Sequence, residues 1–383
     1  MRVLITTCPL YGHFYPMVPL AWALRAQGDD VLVASSAGFE AATATGLHPA
    51  VVAPEADLGR MMGFTREGVP VPRPADPEAA LSRSGRGFGR LAAQQLPGTR
   101  DLVRRYRPDL VISEPMEFAG PLAAAAAGVP WVDHHWGPAL SRPTALRDAG
   151  RDELAPELTE LGLGTFPEPA LVLDPSPPSL RFPDALPAQA LRPVPYNGGG
   201  AVPEWLNGRP DRPRICVTLG TVGPAVLGGM DLAELVGALT LLDVEVVVAG
   251  TGDHVAALAG RAPDSVRLAA WLPMSEVAPT CAAVVHHGGA GTMLTALAHR
   301  VPQILLPGVQ ADQRANAERL HATGGGILIS REEATPGTVR EACAAVLDER
   351  SYRASAQALG DEIAAQPPVA DLVPRLRELA VAG

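Results

Sequence analysis

Several short stretches of this chain combine residue types that bind anions or move protons. The densest is His286-His287-Gly288-Gly289-Ala290-Gly291-Thr292. An apolar run at 282–285 reads as a buried strand, and 293–298 reads as a helix. A glycine-rich turn between strand and helix lets backbone N–H groups close on an anion, and the helix start adds partial positive charge. In such a turn His286 would donate to a phosphate oxygen, beside the N–H groups of Gly288, Gly289, Gly291 and Thr292. A phosphorylated ligand is therefore expected. Thr221, in Leu219-Gly220-Thr221 after another strand pattern, offers a hydroxyl to the same phosphates. Trp271-Leu272-Pro273 also follows a strand pattern. An indole at such an edge stacks on a base while the backbone of Leu272 reads the base edge; the plainer reading of Trp271 is core packing. Asp312-Gln313 supplies acceptors and an amide for sugar hydroxyls.

Proton chemistry points to the other end of the chain. His13 lies in the turn Thr7-Cys8-Pro9-Leu10-Tyr11-Gly12-His13, after the first strand pattern. Imidazole is the side chain best suited to take a proton near neutral pH. A strand pattern at 109–113 ends at Glu114, and Glu117 follows one turn later. A carboxylate there can bond one imidazole nitrogen, fix its tautomer and stabilise the imidazolium. Glu114 is nearer the strand end and is preferred to Glu117. The plainer alternatives are a histidine packed at a helix start and a solvated acid at a strand end.

The elements that must hold these residues alternate strand and helix. In the first half, strands are expected at 2–7, 30–34, 110–113 and 131–133, with helices at 16–27, 38–45 and 117–127. This order means a parallel sheet covered by helices on both faces. The stretch 54–90, rich in Pro, Gly and Arg, reads as a long surface loop. A proline-rich zone at 166–213, with Asn197-Gly198-Gly199-Gly200 inside it, reads as the interdomain connection. The pattern then restarts, with strands at 214–219, 244–249, 266–268, 283–286, 303–306 and 326–329 and a helix near 231–241. The expected fold is α/β, two doubly wound parallel-sheet domains facing across a cleft, the usual place for a ligand. Helices from about 350 to 382 follow no further strand.

Composition excludes other classes. The net charge of −10 argues against nucleic acid, whose phosphates require a basic face. All 31 basic residues are arginine, so no lysine nucleophile or Schiff base exists. Abundant Ala, Gly and Pro with no Lys look like GC-rich coding, as in an actinobacterium. The cysteines, Cys8, Cys216, Cys281 and Cys343, are scattered, as in a reduced cytosolic protein. No apolar run is long enough to span a membrane and no signal peptide is visible, so a cytoplasmic protein is expected. No P-loop pattern, no Gly-x-Gly-x-x-Gly in the first turn and no Asp-x-Asp appear. Charge on a leaving diphosphate would then rest on the helix start and His286, without a metal.

The ordered set Gly12-His13, Trp271-Leu272-Pro273, the His286–Thr292 turn and Asp312-Gln313 resembles the GT-B nucleotide-sugar glycosyltransferases, above all the bacterial branch that decorates antibiotics and other natural products. The resemblance covers nearly the whole chain. It implies an acceptor-binding domain at 1–195, a linker at 196–213, a nucleotide-sugar domain at 214–360 and a last helix at 361–383 crossing back onto the first domain. It implies that His13 is the general base, that Glu114 stands where relatives commonly have a pairing Asp, and that the anomeric carbon is inverted. Thr221, His286, Gly291 and Thr292 match diphosphate contacts, Trp271 and Leu272 the base site, and Asp312 and Gln313 the sugar contacts. Many UDP-sugar relatives carry a Glu eight residues after the motif histidine; here that position is Leu294, which favours a deoxyribose donor such as dTDP. Phe14, Tyr15, Met61, Met62, Phe64, Phe88, His135 and Trp136 are candidates for an apolar acceptor pocket, with ordinary packing as the alternative. The partners implied are an aglycone and a nucleotide sugar, with no cofactor, no membrane and a homodimer as a common arrangement. The rivals are C-glycosylation within the same branch, a lipid or cell-wall acceptor, a nucleotide-sugar epimerase, and a relative that has lost its chemistry. Retention of His13 beside an intact donor motif argues against the last.

Overall fold

The computed structural model describes the chain except residues 37–38, 75, 143, 221–229, 264, 309–310 and 383. The first sheet is built from β1 (Arg2–Thr6), β2 (Asp30–Ser36), β3 (His48–Ala53), β4 (Leu110–Ser113), β5 (Trp131–His134), β6 (Leu171–Asp174) and β7 (Gln189–Ala190). Its order is β3-β2-β1-β4-β5-β6-β7, every pair parallel. The second sheet holds β8 (Arg214–Thr218), β9 (Glu245–Gly250), β10 (Arg267–Ala270), β11 (Ala283–His286), β12 (Gln303–Leu305) and β13 (Gly326–Leu328). Its order is β10-β9-β8-β11-β12-β13, again all parallel. Both are doubly wound α/β domains, as the alternation of strand and helix patterns implies. Central strands such as Val3-Leu4-Ile5 and Val246-Val247-Val248 are apolar on both faces because helices cover both sides.

Each sheet reverses its winding once, between β1 and β4 and between β8 and β11. Parallel doubly wound sheets open a crevice beyond the carboxyl ends of the strands at that point. Pairing in register sets Thr6 beside Ser113 and Thr218 beside His286. The turns that follow must therefore meet in pairs: 7–13 with Glu114, and 219–220 with His287.

The segment 54–90 is not a long loop. It contains a short helix, Leu58–Gly63, and most of the first half of a long helix, Pro77–Tyr106. Asp76 caps that helix by accepting from Ala79 N–H, and proline occupies its first turn. The glycines that read as breakers lie where the helix touches other backbone. A Cβ on Gly98 would stand 1.9 Å from the carbonyl oxygen of Val52, and one on Gly85 2.0 Å from that of Leu146. Strand β3 is a further element that the sequence reading does not contain. After β7 the chain runs without a further named strand to β8, with one helical turn at Glu204–Leu206. The last helix, Val369–Ala382, returns to the first domain, where Leu372, Val373 and Leu376 pack with Leu20 and Leu24. No helix among the described residues is long and apolar enough to cross a membrane.

The tight approach at Gly98 predicts that Gly98→Ala destabilises the protein by about 1–3 kcal/mol through overpacking, even though alanine is the better helix former by about 1 kcal/mol. Urea unfolding should give a lower midpoint at unchanged slope. An unchanged or raised midpoint would mean that the helix does not sit against Val52.

Candidate active site

The crevice of the first sheet holds His13 and Glu114. His13 lies in the short helix Tyr11–Phe14, directly after the turn that leaves β1. Its Nδ1 is 2.9 Å from Glu114 Oε1. Glu114 is 1% exposed and also accepts from Cys8 N–H at 3.1 Å and Met116 N–H at 2.7 Å. Burial alone would raise its pKa. The His13 imidazole and those N–H groups outweigh burial and hold the carboxyl below the usual range. An ionised Glu114 accepts, so Nδ1 carries the proton and Nε2 the lone pair. The rings of Trp136, at 4.2 Å between centroids, and Phe88, at 5.6 Å, confine the imidazole.

Glu117 lies behind this pair and is a different kind of carboxyl. It is 3% exposed and accepts from the Thr6 hydroxyl and from Ala119 and Gly120 N–H. Burial pushes its pKa up to about 7, against the pull of the Thr6 hydroxyl.

A cleft of about 540 Å³ runs between the domains. From the first domain it is lined by His13, Tyr15, His134 and Trp136, and from the second by Trp271, Leu272, His287, Gly289, Gly291, Thr292, Leu294, Asp312 and Gln313. Gly289 caps the helix Ala290–Ala298, so the first N–H groups of that helix open on the cleft. Trp271 follows β10, is 37% exposed and has a φ of 55°, in the left-handed region that non-glycine residues seldom adopt. Its ring lies 5.2 Å from that of Tyr11 in the opposite domain. Burial raises the pKa of Asp312. Asn316 joins the two sides: its Oδ1 accepts from Ala139 N–H at 3.2 Å and its Nδ2 donates to Gly288 O at 3.1 Å.

Several expected positions fall elsewhere. His286 does not reach the cleft. As the last residue of β11 it turns inward, with Nε2 2.7 Å from Gln303 Oε1 and Nδ1 accepting from Gly288 N–H at 3.1 Å. Burial depresses its pKa to about 3, so the ring is neutral and committed. His287, one residue on, faces the cleft instead, and its Nδ1 has no hydrogen-bond partner among the described residues. Gly288 likewise spends its N–H on His286. Its φ is +84°, and a Cβ added there would stand 2.6 Å from Gln313 O, so glycine is obligatory. Phe14 is fully buried against Phe39 on the far side of its helix. Phe64 is 40% exposed and does not line the cleft. Met61 lies in the core, with Met62 packed against it. His135 is buried in an ionic cluster, Nε2 3.2 Å from Asp133 Oδ2, which also takes Arg147 Nη2 at 2.5 Å. Side chains alternate along an extended strand, so His134 takes the cleft side that had been expected of His135. Both nitrogens of His134 are buried without a partner among the described residues, and burial lowers its pKa to about 4. Thr221 lies outside the described residues.

Comparison with known proteins decides the family. The models for the erythromycin biosynthesis protein CIII-like N-terminal and C-terminal domains match residues 22–220 and 233–379. The chain belongs to this glycosyltransferase family. It is 41% identical over 375 residues to an L-demethylnoviosyl transferase of Streptomyces niveus, covering 96% of this chain and 95% of the relative. It is also similar to the Streptomyces sp. SF2575 glycosyltransferase SsfS6 complexed with thymidine diphosphate, with TM-score 0.87, 38% identity and 99% of each chain covered. The spinosyn rhamnosyltransferase SpnG complexed with spinosyn aglycone gives TM-score 0.85 at 32% identity, covering 98% of this chain and 100% of that one. The protein is thus a glycosyltransferase with the fold of antibiotic-decorating enzymes.

The buried acid behind the pair gives a testable pH dependence. Glu117 binds its proton more tightly in the folded state than the ordinary 4.5, so folding loses free energy as pH rises from about 4.5 through about 7. Glu117→Gln removes that loss while its amide still bonds to Thr6. The stability of the variant relative to wild type should therefore rise between pH 5.5 and 8, by about 2 kcal/mol at 1.36 kcal/mol per pKa unit. Parallel stability curves across that range would contradict the raised pKa.

Proposed function

We propose that this glycosyltransferase is an inverting, metal-independent enzyme that moves a deoxysugar from a dTDP-sugar to a hydroxyl of a natural-product aglycone, a polyketide, macrolide or aromatic. The observation that carries this reading is the 2.9 Å contact between His13 Nδ1 and Glu114 at the lip of the cleft. With Nδ1 bound to the carboxylate, Nε2 takes the proton of the acceptor hydroxyl. The oxygen attacks the anomeric carbon from the face opposite the nucleotide, the bond from that carbon to the diphosphate oxygen breaks, and the nucleoside diphosphate leaves with both electrons. Glu114 balances the imidazolium that results. The departing charge meets the N–H groups at the start of Ala290–Ala298 and the imidazole of His287, which takes the part first expected of His286. Asp312 and Gln313 face the sugar, and Trp271 and Leu272 the base. Tyr15 and Trp136, with Phe88 over His13, form the apolar wall toward the acceptor.

Leu294 carries the choice of nucleotide. It lines the cleft and offers no acceptor to a ribose 2′-hydroxyl, so that group would lose its bond to water without replacement. Thymidine diphosphate in the SsfS6 structure agrees with this choice.

Mass spectrometry and NMR of products from dTDP- and UDP-sugars with polyketide and aromatic acceptors test the reading directly. The expected product is an O-glycoside from a dTDP-sugar with inverted anomeric configuration; sugar released with no acceptor consumed would contradict it. His13→Ala should lower kcat about 10²–10⁴-fold while dTDP affinity stays within a factor of two; full transfer by the variant would remove the base assignment. Leu294→Glu should shift the ratio of UDP to dTDP affinity toward UDP by about tenfold, the equivalent of 1.4 kcal/mol. Equal ratios in calorimetric titrations of the two proteins would mean that Leu294 does not read the ribose.

A further inference from the structure

We propose that Cys8, His13 and Glu114 form a binding site for a soft divalent cation, Zn²⁺ foremost, whose occupation switches the base off. The Cys8 thiol, the His13 imidazole and a Glu114 carboxylate oxygen all lie within 4.8 Å of one another. Among the described residues no other three His, Cys, Asp or Glu side chains converge in this way. Thiolate, imidazole and carboxylate are the three side-chain ligand types of zinc, and in a tetrahedral centre their donor atoms stand about 3.3–3.8 Å apart. Reaching that spacing requires only modest side-chain movement, with the His13–Glu114 contact opening from 2.9 Å.

The ligands are already held in place. Glu114 is fixed by the N–H groups of Cys8 and Met116, and the imidazole by Trp136 and Phe88. Cys8 is 1% exposed, and its thiol donates to Met116 O at 3.4 Å, a weak bond for a metal to displace. A cation approaches from the cleft, past His13, which lines it. Thiolate and carboxylate together balance a dication.

Coordination changes the chemistry of the imidazole. In the resting state Nδ1 carries the proton and Nε2 is free. A cation bound at Nδ1 forces the ring proton onto Nε2, by exchange with solvent, and the nitrogen that must accept the hydroxyl proton becomes a donor. The thiol proton leaves to solvent, so binding one cation releases one proton. Burial and the charges of Glu114 and Glu117 keep the thiol protonated near neutrality.

The binding test is independent of the function. Co²⁺ is titrated into the full-length protein and the near-ultraviolet thiolate-to-cobalt absorption followed, with Zn²⁺ added to displace it. Wild type should show the band. Cys8→Ser and Cys8→Ala should lose it, and Cys281→Ser, which removes the partly exposed thiol of the other domain, should keep it. No band in wild type, or a band that survives in both Cys8 variants, overturns the site. The inhibition test rests on the proposed role of His13. Zn²⁺ should abolish transfer by wild type, and Cys8→Ser should be at least tenfold less sensitive. A cobalt band together with transfer indifferent to Zn²⁺ overturns the switch.

Discussion

A buried carboxylate held against an imidazole is the interaction on which the rest depends. Glu114 loses its water when β4 packs beside β1, and an isolated carboxylate in such a place would take up a proton. Two backbone N–H groups and His13 compensate. The same contact decides which ring nitrogen faces the cleft. Parallel strand pairing in register is what allows it: Thr6 beside Ser113 leaves the following residues of both strands at one sheet edge.

The second sheet repeats this device for a different purpose. Thr218 beside His286 brings two turns together, and the helix Ala290–Ala298 begins where they meet. Here the groups that face the cleft are backbone N–H groups and a neutral imidazole, without a full charge from lysine or arginine in the turn. The two crevices face each other because Asn316 ties Gly288 to Ala139 and because the last helix returns to the first domain. His13 and the turn before Ala290–Ala298 thereby line a single cleft.

The fold class and the His13–Glu114 pairing were legible in the sequence because both follow from strand ends. The errors have physical causes of the same kind. Helix Pro77–Tyr106 was hidden by Gly85, Gly89 and Gly98, which look like breakers but are there for close packing against Leu146, Gly150 and Val52. His286 was read as the phosphate donor although it closes the strand pattern at 283–286, because the apolar run carries no sign of which way its last side chain points. With β11 ending at His286, the side chain turns inward to Gln303, and His287 takes the outward place. The same parity error exchanged His135 for His134. The partner that explains His135, an Asp133–Arg147 pair, depends on the packing of helix Ala145–Asp152 and has no local signal.

The central claim is that Glu114 holds His13 with its proton on Nδ1 and a free lone pair on Nε2. The most direct measurement is ¹⁵N NMR of the histidine rings, with His13 assigned through His13→Gln. Neutral His13 should show a pyrrole-type Nδ1 and a pyridine-type Nε2, with that preference lost in Glu114→Ala. A pyridine-type Nδ1 in the wild-type protein would contradict it.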